Sequence, residues 1–347
     1  NKTLNTFWIM KPTIKMIANQ AGVSTATVSL VLNNRPGVNS ETRRLVQATI
    51  KKLNYFPKRS ASQLARNNTG NIGFIIWEDH FSEIEMFYSQ CFLGMELATR
   101  DTDYYILLTT VKLDFNTSTD LPRFLKYDDV DGVVLAGRVP HNLVNLLEKR
   151  KIPFVLLDYE IPGKTHNKIL VDNYNGAYSA IEKLVKSNRK HIAYVGGSAD
   201  HPSIKERYRA YATANHELGL IPDNQTPELV FQSDQEITRE VGIEGIRTLL
   251  AKNKPIDAVF CANDTLAIGV IEELKRHDLD VPRDVAVVGF DDIYAARFHS
   301  PPLSSIHVPK MDLGKEAFKL LVETINNPEQ RPQTRTIGVG CICRETT

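Results

Sequence analysis

The chain has 347 residues, 42% of them hydrophobic and 24% charged, a length that suits two or three units and a composition ordinary for a soluble globular protein. No apolar run approaches the ~20 residues that a membrane span needs, and the apolar patch at residues 7–10 is far shorter than the core of a secretory signal. We expect residues 1–10 to be an N-terminal extension.

Charge is distributed unevenly along the chain. Residues 1–66 contain eleven Lys or Arg and one acid, Glu41, which gives +10, whereas the remainder carries 31 basic and 40 acidic residues, or −9. A small basic head on a large acidic body is typical of a module that binds a polyanion. The alternative is a solvated basic tail, which the regular apolar pattern of the head disfavours.

The head reads as three short helices. Thr13 is the predicted N-cap of the first helix, Gly22 and Val23 end it, Ser24 caps the second helix, and Ser40 starts the third. The apolar faces are predicted as Ile14, Ile17, Ala18 and Ala21, then Val28, Val31 and Leu32, then Leu45, Val46, Thr49, Ile50 and Leu53.

A helix, a turn with glycine and a second helix at this spacing predict a helix-turn-helix, whose second helix enters a major groove of DNA. Its outer face is predicted to carry Thr25, Ala26, Ser29 and Leu30. A generic three-helix bundle is the alternative, and the charge asymmetry favours the DNA-binding interpretation.

The apolar period changes after a basic stretch at residues 58–66 and a joint at residues 67–70. Short apolar runs predict strands at 72–77, 105–108, 133–135, 154–157, 192–195, 258–261 and 285–288. Amphipathic segments between them predict helices at 88–100, 142–149, 175–187, 237–251 and 265–276. This alternation predicts an α/β core of two subdomains with parallel, doubly wound sheets, which bind ligands at the carboxyl ends of their strands.

Nothing in the sequence indicates catalysis, a cofactor or a metal site, because P-loop, dinucleotide and nucleophile-elbow motifs are lacking. The four cysteines, Cys91, Cys261, Cys341 and Cys343, lie in strand-like runs. We interpret them as reduced structural thiols rather than metal ligands, which predicts a cytoplasmic protein.

Polar residues cluster where predicted strands end. Asn263 and Asp264 follow one strand, and Asp291 and Asp292 follow another. Arg207 follows, by a few residues, the loop after a third predicted strand. Carboxylate, amide and guanidinium groups suit adjacent sugar hydroxyls, and Phe87-Tyr88 could stack on a sugar ring. The alternatives stay open: Asp264 and Asp292 also suit helix N-caps, and Phe87 also suits the core.

These residues resemble the lactose/galactose repressor family over about residues 11–344. The matching motifs are Thr13-Ile14-Lys15, Ala21-Gly22-Val23-Ser24, Thr27-Val28-Ser29, Val31-Leu32-Asn33, Thr42-Arg43, Tyr55-x-Pro57, Cys261-Ala262-Asn263-Asp264, Val281-Pro282-x-Asp284-Val285, Val288-Gly289-Phe290-Asp291-Asp292 and Pro301-Pro302-Leu303.

The resemblance implies a helix-turn-helix head at 11–56, a hinge helix and linker at 57–70, and an effector-binding and dimerisation core at 71–347 that resembles a periplasmic binding protein. It places one subdomain at about 71–171 and 300–331, and the other at about 172–299 and 332–344. It further implies a homodimeric repressor on a pseudo-palindromic operator, with a small-molecule effector between the two subdomains.

The same resemblance implies residue roles. Base reading falls to Thr25, Ala26 and Leu30, and backbone contact or support to Ser24, Thr27, Ser29 and Asn33. The hinge residues for the minor groove are Arg59, Ala61 and Leu64, of which Leu64 is the wedge. The effector positions are Phe87, Tyr88, Arg207, Asn263 and Asp291, with His201, Ser203 and Gln235 less securely.

Some positions depart from the family pattern. Leu30 stands where arginine is common and cannot donate to guanine. Met16 stands where an acid often supports the first helix, and Gln235 replaces a common aromatic residue. No leucine-heptad tail follows Arg344, which favours a dimer over a tetramer.

Two rival classes share parts of this pattern. A periplasmic sugar-binding protein would have a signal peptide and no basic head, and an α/β sugar enzyme would have a paired acid and base. A sugar effector is favoured over a purine by the polar pocket positions, and the sequence leaves open whether the effector releases the protein from DNA or recruits it.

Overall fold

The computed structural model describes residues 12–32, 34–55, 68–80, 87–199, 201–222, 224–235 and 237–347. The chain divides into two units, residues 1–69 and 70–347. Several predictions lie outside the described residues: the extension at residues 1–10, the phosphate contact at Asn33, and the hinge residues Arg59, Ala61 and Leu64.

The first unit contains three helices, α1 (Ile14–Ala21), α2 (Thr25–Leu32) and α3 (Ser40–Lys52). The predicted caps are confirmed, because the Met16 N–H donates to Thr13 Oγ1 (3.3 Å) and the Thr27 N–H donates to Ser24 Oγ (3.0 Å). Gly22 ends α1 with φ of +65°, a left-handed conformation that a side chain disfavours. The turn between α1 and α2 therefore depends on this glycine.

A small apolar core holds the three helices together, formed by Ile17, Ala18, Ala21, Val28, Val31 and Val46. The prediction that Leu45 faces inward is wrong, because its side chain is 51% exposed. Leu45 lies about 100° around α3 from the buried Val46, so it falls at the edge of the apolar stripe.

The second unit contains twelve strands, nine α-helices and a short 3-10 helix (Glu78–His80) within its described residues. The strands are β1 (Asn71–Trp77), β2 (Tyr105–Val111), β3 (Gly132–Ala136), β4 (Phe154–Leu157), β5 (Lys168–Val171), β6 (Ile192–Gly196), β7 (Val230–Gln232), β8 (Ala258–Cys261), β9 (Ala286–Asp291), β10 (Ser304–His307), β11 (Thr334–Ile337) and β12 (Gly340–Ile342). The helices are α4 (Phe87–Thr99), α5 (Arg123–Lys126), α6 (His141–Arg150), α7 (Asn173–Lys186), α8 (Pro202–Glu217), α9 (Arg239–Leu250), α10 (Asp264–Arg276), α11 (Tyr294–Phe298) and α12 (Lys310–Asn326).

Two six-stranded sheets form the two lobes of this unit. The first sheet has the order β11-β5-β4-β3-β1-β2, and the second has the order β12-β10-β9-β8-β6-β7. All neighbouring strands are parallel except β10 and β12, which are antiparallel. The predicted α/β class with two parallel, doubly wound sheets is confirmed.

The chain passes between the lobes three times. It leaves the first sheet after β5, returns at α12, which packs on β3, β4 and β5, and leaves again between β11 and β12. These crossings differ from the predicted split at residues 300 and 332, because β10 lies in the second sheet and β11 pairs with β5 of the first. The sheet to which a strand belongs is decided by the strand with which it pairs, and that partner is distant in sequence.

Helices α4 and α12 pack closely in the first lobe. Cβ atoms added to Gly94 and Gly314 would clash with the backbone of Met311 and Cys91 respectively, so these glycines permit the approach. The contact sets the start of α12 against the middle of α4, and the ammonium of Lys310, the first residue of α12, lies 5.5 Å from the ring centre of Phe87, the first residue of α4. Among the described helices, none is long and apolar enough to cross a membrane.

Candidate functional site

The outer face of α2 presents the side chains predicted to meet DNA. Thr25 and Ala26 are exposed, and Leu30 is 36% exposed. Ser29 is partly buried, and the hydroxyls of Ser24 and Thr27 lie 2.9 Å apart at the start of the helix. The structure thus brings the predicted base-reading positions onto one accessible helix face, with the predicted supporting residues at its amino end and flank.

Arg43 fixes the loop that follows α2. Its guanidinium donates to Asn34 Oδ1 (3.1 Å) and to the Arg35 carbonyl (2.6 Å). The loop is therefore tied to α3 by a charged donor, which limits how far α2 and α3 can separate.

Arg207 is the centre of a polar network at the carboxyl ends of the second sheet. It lies on α8, and its guanidinium donates to Asn173 Oδ1 (2.8 Å), the Ala262 carbonyl (2.6 Å) and Asp291 Oδ1 (3.1 Å). The guanidinium carbon also lies 3.7 Å from the ring centre of Phe290. Because the Arg207 and Asp291 side chains are only 4% and 13% exposed, this pair is largely shielded from water and held in one geometry.

The end of β9, at Asp291, and the residue that follows it have an uncommon backbone. Asp291 and Asp292 have φ of +102° and +53°, and aspartate tolerates such values better than most residues. The Asp292 carboxylate accepts hydrogen bonds from Arg297 (2.9 Å), His307 (2.9 Å) and Arg344 (2.5 Å). Asp292 therefore anchors the loop, while the neighbouring Asp291 faces Arg207.

Lys310 connects this loop to the first lobe. Its ammonium group donates to the Asp291 carbonyl, and it lies 5.5 Å from the ring centre of Phe87. Phe87 is partly buried and its ring meets that of Tyr88 edge-on, at 5.0 Å between ring centres. Phe87 thus reaches the end of β9 through Lys310, and Tyr88 packs against Phe87.

Asp158 bridges the lobes from the end of β4. Its carboxylate accepts a hydrogen bond from the Tyr88 hydroxyl (3.1 Å) and another from the Ser203 hydroxyl on α8 (3.1 Å). Burial raises the pKa of Asp158 to about 6, and the Asp291 charge acts in the same direction while Arg207 opposes it. The predicted positions Tyr88 and Ser203 therefore meet at an acid that the sequence analysis did not select.

Two buried histidines, His80 and His201, lie near these residues, since His80 stacks on Tyr88 and its charge acts on His201. Burial lowers the pKa of His201 to about 3, with a contribution from His80, and burial lowers the pKa of His80 to about 4. His201 is also the N-cap of α8, because its Nδ1 accepts the Ser203 N–H (3.3 Å). Both rings are neutral at physiological pH, so they can contribute hydrogen bonds rather than positive charge.

Asn263 and Asp264 follow β8, and only one of them caps the next helix. Asn263 is the N-cap of α10, with its Oδ1 accepting the Leu266 N–H (3.0 Å). Asp264 instead accepts hydrogen bonds from the Ser305 hydroxyl (2.6 Å) and the Ile293 N–H (2.8 Å). Burial raises its pKa to about 8. Neither Asp264 nor Asp292 caps the helix that follows it.

Gln235 stands apart from this cluster. It is exposed, and its backbone N–H donates to Ser233 Oγ (3.1 Å) in the loop after β7. The residues missed by sequence reasoning are Asp158, Asn173 and Lys310. The sequence offered a signal for Asp158, because it directly follows the predicted strand 154–157. It offered none for Lys310, which is near the site because the chain crosses between the lobes just before α12.

The arrangement suits binding rather than catalysis. Carboxylate, amide and guanidinium groups converge beside aromatic rings between two lobes, which is the composition of a pocket for a small polar ligand. Within the described ranges, no group of three or more His, Cys, Asp or Glu side chains could hold a metal ion.

Comparison with known proteins agrees with this arrangement. Residues 13–58 match the model of bacterial regulatory proteins of the lacI family, and residues 181–347 match that of a periplasmic binding protein-like domain. The chain is similar to the HTH-type transcriptional regulator RegA of Clostridium saccharobutylicum, with 32% identity over 340 residues, covering 97% of this chain and 100% of RegA.

Two further similarities extend over the same length. The HTH-type transcriptional repressor PurR of Actinobacillus pleuropneumoniae serotype 3 is 33% identical over 326 residues, covering 94% of each chain. The solved complex of the transcriptional regulator CelR with cellobiose is 28% identical, has a TM-score of 0.72, and covers 97% of this chain and 100% of CelR. These relatives are regulators of transcription, not enzymes.

Proposed function

The chain belongs to the lacI family of bacterial regulatory proteins, and from that premise we propose that it is a homodimeric repressor whose operator affinity is set by a sugar bound between the lobes of its core. It is a helix-turn-helix regulator of transcription with an effector-binding core. The sugar, the pseudo-palindromic operator and the cytoplasmic location are our proposals.

The observation that carries the sugar proposal is the buried Arg207 network. A guanidinium has five N–H donors, so the three bonds to Asn173, Ala262 and Asp291 leave capacity for a ligand. Fixed donors and acceptors spaced in this way suit adjacent hydroxyl groups, which both donate and accept. The similarity to the CelR–cellobiose complex supports the same ligand class.

We further propose the residue roles. Thr25, Ala26 and Leu30 read bases, with Ser24, Thr27, Ser29 and Asn33 supporting the backbone contact. Arg59, Ala61 and Leu64 act in the minor groove. The effector is held by Phe87, Tyr88, His201, Ser203, Arg207, Asn263 and Asp291. Gln235 belongs to this set only if its exposed loop closes over the ligand.

The proposed mechanism follows from linkage. An effector that binds both lobes favours one relative orientation of them, and operator DNA favours one arrangement of the paired heads. The two affinities must then be coupled reciprocally, typically by about 1–3 kcal/mol.

The test is selection from a randomised duplex pool, with and without single mono- and disaccharides and purine bases, at a fixed ~0.15 M salt because affinity depends strongly on salt. We expect a palindrome to be enriched, and one sugar to weaken or strengthen its binding. A response to a purine alone overturns the sugar proposal. Salt-sensitive binding without any preferred sequence overturns the operator proposal.

A further inference from the structure

The end of the last strand, β12, has a pair of thiols that neither the DNA-binding face nor the effector site uses: Cys341 lies in the strand and Cys343 directly follows its last residue. Cys341 Sγ and Cys343 Sγ lie 3.9 Å apart. Cys341 is partly buried, Cys343 is exposed, and both are free. The other two cysteines differ, since Cys91 and Cys261 are buried in the core.

The strand geometry explains why the two sulfurs meet. Residues two apart in an extended segment project to the same side, and the sulfur separation of 3.9 Å places Cys343, directly after β12, on the same side of the chain as Cys341. Strand β12 is at the edge of the second sheet and pairs antiparallel with β10, where Cys341 lies opposite Ile306. Because β12 is an edge strand, small molecules and ions in solution can reach the two sulfurs from one side.

A direct disulfide fits this geometry poorly. In an extended strand, residues two apart have Cα atoms about 6.6 Å apart, near the upper limit of about 6.8 Å for a disulfide. The sulfurs would also have to close from 3.9 Å to about 2.05 Å. The backbone at the end of β12 would therefore have to move.

A bridging metal ion needs no such movement. Two thiolates bound at about 2.3 Å from one metal lie about 3.8 Å apart at a tetrahedral angle and about 4.6 Å apart when linear. The observed separation of 3.9 Å lies inside that range. Rotation of the exposed Cys343 side chain suffices to reach the wider values.

The number of ligands decides the kind of ion. Structural zinc takes four protein ligands, and the part of the chain that the structure describes offers no group of three or more metal-ligating side chains here. Thiolates select soft ions such as Cu(I), for which two sulfur ligands suffice. We propose that Cys341 and Cys343 form a two-thiolate site for one soft monovalent cation of the Cu(I) class.

Binding is a proton exchange rather than a redox step. Two S–H bonds are replaced by two sulfur–metal bonds, two protons are released, and the metal keeps its oxidation state. The residue after the pair, Arg344, donates to Asp292 Oδ1 and to the Leu303 carbonyl, each at 2.5 Å. A cation on the pair therefore stiffens the segment that anchors the Asp291–Asp292 loop.

The test titrates the full-length reduced protein, under argon, with Cu(I) held by the chromogenic chelator bicinchoninate. We expect each chain to withdraw one equivalent of Cu(I). The variants C341S and C343S should each weaken binding by about 10²- to 10⁴-fold, because one thiolate loses the chelate effect. C91A removes a thiol elsewhere and is the matched control, which should bind as the wild type does.

Operator binding of each variant verifies that it is folded. Withdrawal of one equivalent that depends on both cysteines supports the site. Retention of that equivalent by the C341S/C343S double variant overturns it, and so does a failure of the wild type to compete for Cu(I). The protein purified without reductant is also tested for free thiols. Two free thiols instead of four, together with no Cu(I) uptake either before or after reduction, overturn the metal site in favour of a disulfide.

Discussion

The Ser203 hydroxyl of α8 donates a 3.1 Å hydrogen bond to the buried carboxylate of Asp158, which follows β4 in the opposite lobe. This bond connects the two lobes through side chains, independently of the three chain crossings. It exists only when the lobes are close together, so it stabilises that arrangement selectively.

We expect S203A to weaken effector binding by about 10- to 100-fold, since a hydrogen bond to a charged group contributes about 1.5–3 kcal/mol. Calorimetric titration with the effector identified by the selection experiment measures the change. S179A is the control, because Ser179 donates to the Gly176 carbonyl within the second lobe. Equal loss in both variants would show that the effect is not specific to the interlobe bond.

The raised pKa of Asp264, about 8 in the folded protein, predicts a pH-dependent free energy of unfolding. Between pH 4 and 8 the Asp264 carboxyl is largely ionised in the unfolded state and still protonated in the folded state. Because the folded state binds more protons, its stability falls as pH rises. In D264N this contribution is absent. The unfolding free energy of D264N relative to wild type should therefore increase by a few kcal/mol from pH 5 to 8, since one pKa unit corresponds to about 1.4 kcal/mol.

Denaturant melts of wild type and D264N at several pH values measure that difference. The comparison cancels the other titrating groups that the two proteins share. A difference that stays constant from pH 5 to 8 would mean that Asp264 is ionised throughout.

Removing Arg207 should abolish the effector response. R207A removes the guanidinium that pairs with Asp291, whose side chain is only 13% exposed. Breaking a buried ion pair costs about 3–5 kcal/mol of stability. We expect a lower melting temperature and loss of effector binding, with operator affinity retained below the melting temperature. R209A is the control, because its partner pair with Glu206 is on the surface.

Arg207 cannot be replaced by lysine without loss. One ammonium cannot serve Asn173, Ala262 and Asp291 in the planar fork that the guanidinium provides. R207K should therefore recover the melting temperature in part and effector binding little. Full effector response in R207K would contradict the proposed role of the planar network.

Replacement of Leu30 should change the operator that is selected. L30R adds a guanidinium to an exposed position on α2, and a bidentate contact to guanine is worth about 1–3 kcal/mol of base discrimination. Selection from a randomised half-site should then enrich guanine at one position. L45R places the same charge on the exposed Leu45 of α3 and should raise affinity without changing the selected base.

The turn between α1 and α2 should depend on Gly22. Its φ of +65° means that G22A costs upwards of about 1 kcal/mol in the head. Hydrogen exchange of the α1 and α2 amides in the full chain should accelerate, and operator affinity should fall. Asparagine tolerates this conformation better than alanine, so G22N should lie between G22A and wild type.

Local chemistry made much of the fold predictable. The caps at Thr13 and Ser24 and the seven apolar strands rest on side chains that act within a few residues, and the structure has them. Strands β5, β7, β10 and β11 are three or four residues long. Strands β4 and β8 are equally short but wholly or almost wholly buried. Strands β5, β7, β10 and β11 instead mix exposed or partly buried positions with buried ones or include polar residues, so no continuous apolar run marks them and their pairing partners define them.

The candidate site was less predictable because its contacts are not local. Arg207 and Asp291 are 84 positions apart, and Tyr88 and Asp158 are 70 apart. Single residues after strands signalled Asn263 and Asp291, whereas nothing near Lys310 in sequence indicates that its ammonium group reaches the Asp291 carbonyl. Which strand ends share one cleft is a property of the topology.

The three crossings between the lobes have a consequence for anyone who wishes to dissect this protein. Strands β11 and β12 are separated by two residues and belong to different sheets, so a truncation before residue 334 takes an edge strand from both lobes at once. A single lobe is discontinuous along the gene, and isolating one requires splicing distant segments rather than choosing an end point. Proteolytic fragments of the core should accordingly fail to accumulate as autonomous half-proteins.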